Sequence, residues 1–534
     1  MNNTFFEKSM DIANDFIQNI VFLDDKAFKD SDKENTDHDL DTLKISQVFA
    51  NQNKICAVYR PESNEDIERF KIIADKADVV VVDWQIVFPQ TVKDGEEEDD
   101  APDDPRGIYT KEIIKSIISG ENSVKNSLKI IIVYTGDYTI LEDIANDIYE
   151  NAFNSSESYI LNNENCSIES SQVKVLVRAK NTEIAAEGNK ERYGRFMIPY
   201  EDLPQFIIKE FSEITSGLLS NFALLSLTTL RKNSSKILGL FSKKTDSAYL
   251  GHKSIIPKQE DSEDLLIELF GDSVKDLLFY SKVNEELRDK LIEPWIDEKI
   301  EEDELQHVGH KVIRTKQMVK NILSSKIEKV KDRFVDAMGE VNPQLKNHLV
   351  DNPTKLFTNN SEMENVIMSD KGFAKLTHHK SLFIPKNVHP KLSLGCLIKS
   401  DKSEYYYICI QQRCDSVRIP KGTERKFLFL RLKESDDKFD ILTPDGKKLK
   451  KDKDSFSIRT IKFVCQDDSG IIKAELNEAG KFIFKQMYNH DDDEQFEWIL
   501  DLKDLHSQRI ISDYTSSLSR VGLDESEWHR RFLS

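Results

Sequence analysis

Four consecutive valines, Val79–Val82, followed by Asp83 and Trp84, constrain this chain more than any other stretch. β-Branched residues that are apolar on both faces make a strand covered on both sides, the habit of central strands in parallel α/β sheets. The run is far too short to span a bilayer. In open α/β sheets ligands sit beyond the carboxyl ends of the strands. Asp83 therefore stands where a helix cap, a metal ligand or a nucleophile would stand, and what the neighbouring strands bring to that edge decides among them.

The flanking elements alternate. A helical pattern runs from Phe5 to about Ile17, then Ile20–Leu23 reads as a strand ending in Asp24 and Asp25. Ile55–Tyr59 is a second short strand, and Ile67, Phe70, Ile73 and Ala74 keep helical spacing after Pro61. Beyond the valines lies an acidic stretch, Glu96–Asp104, expected to be a solvated loop. Ile108–Ile118 reads as helix, Lys129–Thr135 as strand, Ile140–Tyr149 as helix, and Val173–Lys180 as a fifth strand. Strands alternating with helices predict a doubly wound parallel sheet. In chain order the strand ends supply an acid pair, no functional group, an acid, a hydroxyl and a lysine. Taken singly, each acid could be a helix cap. Near Lys180, Arg178 and Lys174 offer further bases on the same strand.

This order of residues resembles the receiver domain of two-component response regulators. The resemblance implies a flavodoxin-like, five-stranded parallel sheet of order 2-1-3-4-5. It casts Asp83 as phosphoacceptor, Asp24 and Asp25 with Asp83 as ligands of Mg²⁺, Thr135 as the switch hydroxyl and Lys180 as the family's lysine. The chemistry suits those types: Mg²⁺ takes oxygen ligands, and a lysine offsets a phosphate oxygen as a point charge. Two departures stand out. The segments around residues 26–45, 96–104 and 151–170 are longer than a minimal receiver needs. Val177, three residues before Lys180, stands where receivers commonly carry an aromatic residue.

From Leu203 onward helical spacing dominates, with a kink or break expected at Pro294. From about Ser381 the texture changes to short alternating strands and turn signals such as Pro444-Asp445-Gly446, as in a small antiparallel barrel or sandwich. The expected layout is a receiver-like domain at 1–204, a helical domain at 205–375 and a β-rich domain with C-terminal helices at 380–534. His307 and His310 are a weak ligand pair with no third ligand nearby. His378 and His379 are expected in a solvated loop. Cys414-Asp415 is a further weak candidate. Nothing matches a phosphate-binding loop, a zinc-protease motif or a nucleophile elbow.

A formal charge of −20 disfavours non-specific nucleic-acid or anionic-membrane binding. The residues Met1–Glu7 have no basic and apolar leader pattern, and the six scattered cysteines suit a reducing compartment, so a cytoplasmic location is expected. The layout as a whole resembles the large receiver proteins of two-component-like antiphage systems of the Detocs type. That similarity rests on Asp83-Trp84, on Leu227-Thr228-Thr229-Leu230-Arg231 and on the tail from Ser519 to Trp528. It implies a cognate histidine kinase as phosphodonor, an effector protein as a further partner, and a chain that regulates or drains phosphoryl groups. The alternative is a pseudo-receiver scaffold that works through protein binding without phosphorylation.

Overall fold

A computed structural model describes residues 3–28, 40–88, 107–119, 128–154, 156, 158–180, 192–257, 259, 261–307, 310–338, 350–380, 388–436, 439–452, 457–486 and 494–518. The acidic stretch 96–104 and the tail from Ser519 lie outside them. The chain divides into two units: residues 1–302 with 315–326, and residues 303–314 with 327–534.

The first unit is built on one sheet. Strands β1 (Asn19–Leu23), β2 (Ile55–Tyr59), β3 (Val79–Val82), β4 (Lys129–Thr135) and β7 (Val173–Lys180) are parallel. Two short strands, β5 (Ile160–Asn162) and β6 (Ser167–Glu169), and the two-residue β8 (Met197–Ile198) complete it. The order is β2-β1-β3-β4-β7-β6-β5, with β8 also paired to β7. The sheet thus has eight strands where five were expected. The segment after residue 151 folds back as an antiparallel hairpin that pairs with β7 and covers what would have been a bare edge.

Side-chain alternation divides the valine strand between two cores. Val80 and Val82 join Val21, Leu23, Ile131 and Val133 under helices α3 (Asn64–Lys76), α4 (Ile108–Ser119) and α5 (Leu141–Asn151). Val79 and Val81 join Ile20, Phe22, Ile130 and Ile132 under α1 (Phe5–Phe16), α2 (Thr42–Asn51) and the helix Leu203–Thr215. Every residue of β3, β4 and β7 is buried, whereas the edge strand β2 is exposed at both ends.

Buried lysines finish the helices at the amino edge of the sheet. Lys129 donates to the carbonyls of Ala74, Asp75 and Ala77 at the end of α3, and Lys54 to Ile17 beyond α1. Each ammonium satisfies carbonyls that have no partner inside their helix. The helix Leu218–Leu240 crosses the same edge. Its Arg231 forms a fork on Asp78 at 2.8 and 3.1 Å, while Asp78 also accepts the N–H groups of Gln18 and Asn19.

Helices Asp246–Ile255, Asp261–Tyr280 and Val283–Lys299 follow, the last with a π turn over Leu287–Leu291. That widened turn precedes Pro294, whose missing N–H it accommodates. The helical spacing read from Leu203 onward is interrupted: Asp303–His307 and His310–Arg314 form an antiparallel hairpin, and the next helix begins at Lys316, capped by Thr315. The side chains of His307 and His310 lie outside the described residues.

In the second unit a nine-stranded antiparallel sheet carries separate apolar clusters, one centred on Phe427, Phe429, Phe463 and Phe496 and the other on Leu430, Leu432, Ile441 and Leu449. His378 is not in a loop. It ends the helix Val366–His378 and stacks on His506 with ring centres 3.7 Å apart. His379 is buried, its Nε2 2.7 Å from the Leu442 carbonyl. Cys409 is buried and Cys414 exposed, and no cysteine is in a disulfide. Among the described residues no helix is long and apolar enough to cross a membrane.

Candidate functional site

The sheet register places the candidate residues on one edge. Leu23 pairs with Val82, Val82 with Val133, and Thr135 with Ala179. Asp24 and Asp83 therefore follow their strands side by side, and Thr135 and Lys180 close theirs at the same level. The ladder continues past the last paired residues: Asp83 N–H donates to the Leu23 carbonyl and Asp24 N–H to that of Tyr59. Each carboxylate is thus held by a backbone that cannot drift.

One oxygen from each of Asp24, Asp25 and Asp83 lies within 4.8 Å of the others. Lys180 Nζ donates to Asp24 Oδ2 at 2.6 Å and stands 3.6 Å from Asp83 Oδ1. The second Asp24 oxygen accepts the Lys26 N–H at 2.8 Å, and Asp25 Oδ2 accepts the Val87 N–H at 3.3 Å. Oδ1 of Asp25 and Oδ1 of Asp83 are buried without a hydrogen-bond donor among the described residues. Buried oxygens of this kind are costly unless something else meets them.

The charges explain the titration of the cluster. Burial, the largest cause, pushes Asp83 up to about 7; Lys180 opposes it, and the charges of Asp24 and Asp25 add to it. Asp25 is raised by burial and then by Asp24. Burial alone would pull Lys180 down, but Asp83 and Asp24 more than reverse this and hold it above the usual lysine range. Three carboxylates against one ammonium leave a formal charge of −2 when all are ionised (−3 + 1). A divalent, oxygen-seeking cation such as Mg²⁺ matches that deficit and the unmet oxygens.

Thr135 is buried at the end of β4, and its hydroxyl accepts the Asp137 N–H at 3.2 Å. It shares the edge with the cluster and orders the loop that leaves it. The other two bases of β7 face elsewhere. Arg178 donates to the carbonyls of Asn165 and Val177 and lies over the rings of Phe196 and Phe206. Lys174 pairs with Glu210 and Glu213. Of the three, Lys180 reaches the carboxylates.

Some supports had no clear signal in the sequence. Thr110, inside the helical pattern of α4, donates from its hydroxyl to the Asp83 carbonyl at 2.6 Å. Gly107 donates to the Trp84 carbonyl and holds a φ of +74°. A Cβ on it would come within 2.1 Å of the Trp84 ring. The Trp84 ring can occupy its place because residue 107 has no side chain. A lone glycine after an acidic run was the available hint, and only a left-handed or crowded position makes such a residue informative.

Residues 16–184 match the family model of the response receiver domain. No curated protein and no solved structure matches the chain. The parallel sheet, the acidic cluster at its carboxyl edge and the matched stretch coincide, and this part of the chain is a response receiver domain.

Proposed function

We propose that Asp83 accepts a phosphoryl group and that the chain serves a two-component-type signalling system, its phosphodonor a cognate histidine kinase. The observation that carries this is Lys180 set between Asp24 and Asp83 while Asp83 Oδ1 has no hydrogen-bond donor among the described residues. In the step, ionised Asp83 attacks phosphorus, an O–P bond forms, and the P–N bond to the donor histidine breaks with its electron pair returning to the ring. Asp24, Asp25 and Asp83 would hold Mg²⁺, which neutralises charge on the transferred group. Lys180 would leave Asp24 for a phosphoryl oxygen, and the Thr135 hydroxyl would donate its own proton to another. Catalysis of this kind is mostly positioning and charge neutralisation.

The setting we favour is antiphage defence of the Detocs type. The chain would act there as a regulator or phosphate sink beside a separate effector protein, in the cytoplasm. The 2.6 Å contact between Lys180 and Asp24 also supports a second reading, in which the cluster is a fixed buried ion network and the chain is a scaffold. Incubation with Mg²⁺ and a small acyl phosphate, followed by intact mass and peptide mapping, separates the two. The expected result is one added phosphoryl group on Asp83, absent in Asp83→Asn, and strongly reduced in Asp24→Asn. An unmodified wild-type chain after exposure to both the small donor and the kinase would leave the scaffold.

A further inference from the structure

The helix Val366–His378 is held on the C-terminal sheet by polar groups rather than by an apolar stripe. Of its side chains only Val366 is buried, while Met368, Phe373 and Leu376 are exposed. Lys375 Nζ donates to the Pro444 carbonyl at 2.7 Å. At the carboxyl end, Lys503 donates from its backbone to the His378 carbonyl at 2.8 Å and from Nζ to that of Leu376 at 2.6 Å. Three imidazoles complete the contact. His379 meets the Leu442 carbonyl, His506 meets the Asp440 carbonyl at 3.0 Å, and His378 stacks on His506 with ring planes 10° apart.

This setting suits neutral rings. A neutral imidazole has one N–H, and a carbonyl oxygen can only accept it. The N–H of His379 and of His506 is therefore on Nε2, and an added proton would go to Nδ1. In His378 it is Nδ1 that is buried with no hydrogen-bond partner among the described residues. The charges nearby do not help. The helix and the residue pair after it bring Lys371, Lys375 and Lys380; the start of Asp504–Leu518 brings Asp501, Lys503, Asp504 and Arg509; the strand Ile441–Leu442 and its turn bring Asp440, Asp445 and Lys447. The four carboxylates are engaged elsewhere: Asp501 by Trp498, Asp504 by Arg413, Asp445 by Thr443 and Asp440 by the Lys451 N–H. Burial first, then His506, His379, Arg509 and Lys503, push His378 down to about 4. Burial also lowers His379 and His506, against the pull of their carbonyl partners.

We propose that this cluster is a pH-sensitive latch: neutral histidines hold Val366–His378 on the C-terminal sheet, and their protonation releases it. A histidine whose folded pKa lies below its free value supports the folded arrangement fully above that free value, about 6.5. The support is lost as pH falls from there toward about 4. For His378 alone, that shift changes the docking equilibrium about 20-fold between pH 7 and pH 5. A released helix of 13 residues is marginal in water, so its amides then exchange.

Hydrogen exchange of the full chain, read by mass spectrometry on peptides covering 366–378 and corrected for the intrinsic effect of pH, tests this. Protection of the helix is expected to fall about 20-fold or more from pH 7 to pH 5, while the strand Glu424–Glu434 of the same sheet keeps its protection. His378→Phe with His506→Gln retains a stacked ring and a donor for the Asp440 carbonyl, and should remove most of the fall. Arg509→Glu, at an exposed position beside the pair, puts a carboxylate near the imidazoles and should shrink it. His389→Gln, at a histidine of the same unit that meets the Ala474 carbonyl instead, should leave it unchanged. Protection that does not fall, a fall shared by the strand, or one that survives both the double variant and Arg509→Glu overturns the proposal.

Discussion

Lys180 concentrates the electrostatics of the receiver edge in one ammonium. Removing it leaves Asp24 and Asp83 buried without their cation. Lys180→Met is expected to cost about 3 kcal/mol at pH 8, the scale for breaking a buried pair, and clearly less at pH 5.5, where the carboxyls can take up protons instead. Denaturant titration at the two pH values checks this. The raised pKa of Asp83 gives a second expectation. An acid whose folded pKa lies above its unfolded value favours the fold while protonated. That contribution is complete below the unfolded value of about 4 and is lost as pH rises through about 7. The metal-free protein should therefore lose stability between those limits, and added Mg²⁺ should restore it. Mg²⁺ affinity should rise across the same window as the competing proton leaves. The fluorescence of Trp84, buried beside Asp83, offers a readout from pH 5.5 to 8. Affinity that does not change with pH would count against ligation by Asp83.

The elements below that edge are fixed by few contacts, and two of them are open to direct tests. Gly107→Ala places a methyl group into the Trp84 ring at a left-handed backbone position. The expected loss is about 2 to 3 kcal/mol from overpacking and strain, with weaker Mg²⁺ binding as the turn after Asp83 shifts. Thermal melts with and without Mg²⁺ measure both effects. The Asp78–Arg231 fork ties the helix Leu218–Leu240 to the amino edge of the sheet. Arg231→Ala also removes the guanidinium from over the Phe16 ring, 4.4 Å away. It is expected to destabilise by about 2 kcal/mol, chiefly because Asp78 is left buried and underbonded, while phosphoryl uptake at the opposite edge stays near that of the wild type. A melt and a phosphorylation time course on the same variant separate these roles. Arg231 belongs to the Leu227–Arg231 stretch singled out in the sequence, and its place in the fold is structural.

Among the described residues each unit has apolar clusters of its own, on both faces of the receiver sheet and in the antiparallel sheet of the C-terminal unit. Chains with separate cores need not unfold in one step. Scanning calorimetry is expected to resolve two transitions, and Mg²⁺ should raise only one, because a ligand stabilises the unit that binds it. Asp83→Asn should abolish that shift and leave the other transition in place. Equal shifts of both transitions would mean that the metal binds elsewhere as well.

Much of the receiver was legible in the chain because its signals are local. Val79–Val82 reads as a doubly covered strand from four side chains, and Val173–Lys180 ends at Lys180 as its apolar run does. The acids Asp24, Asp25 and Asp83 could be named because a strand end is a local event. What local pattern could not show is which groups meet. Lys180 lies 156 positions from Asp24, and only the parallel register of β1, β3, β4 and β7 brings its ammonium to the acids while Arg178 turns toward Asn165. The same holds for the hairpin β5–β6, whose short strands gain their partner from β7 rather than from their own composition. His378 and His379 read as solvated because adjacent histidines are polar, yet His378 stacks half-buried on His506 and His379 is buried against the Leu442 carbonyl. The residues alone determined the strand order along the chain and the chemical types at each strand end. Tertiary structure decided which of those types face one another and which polar groups are buried, because hydrogen-bonded register and burial depend on partners far away in sequence.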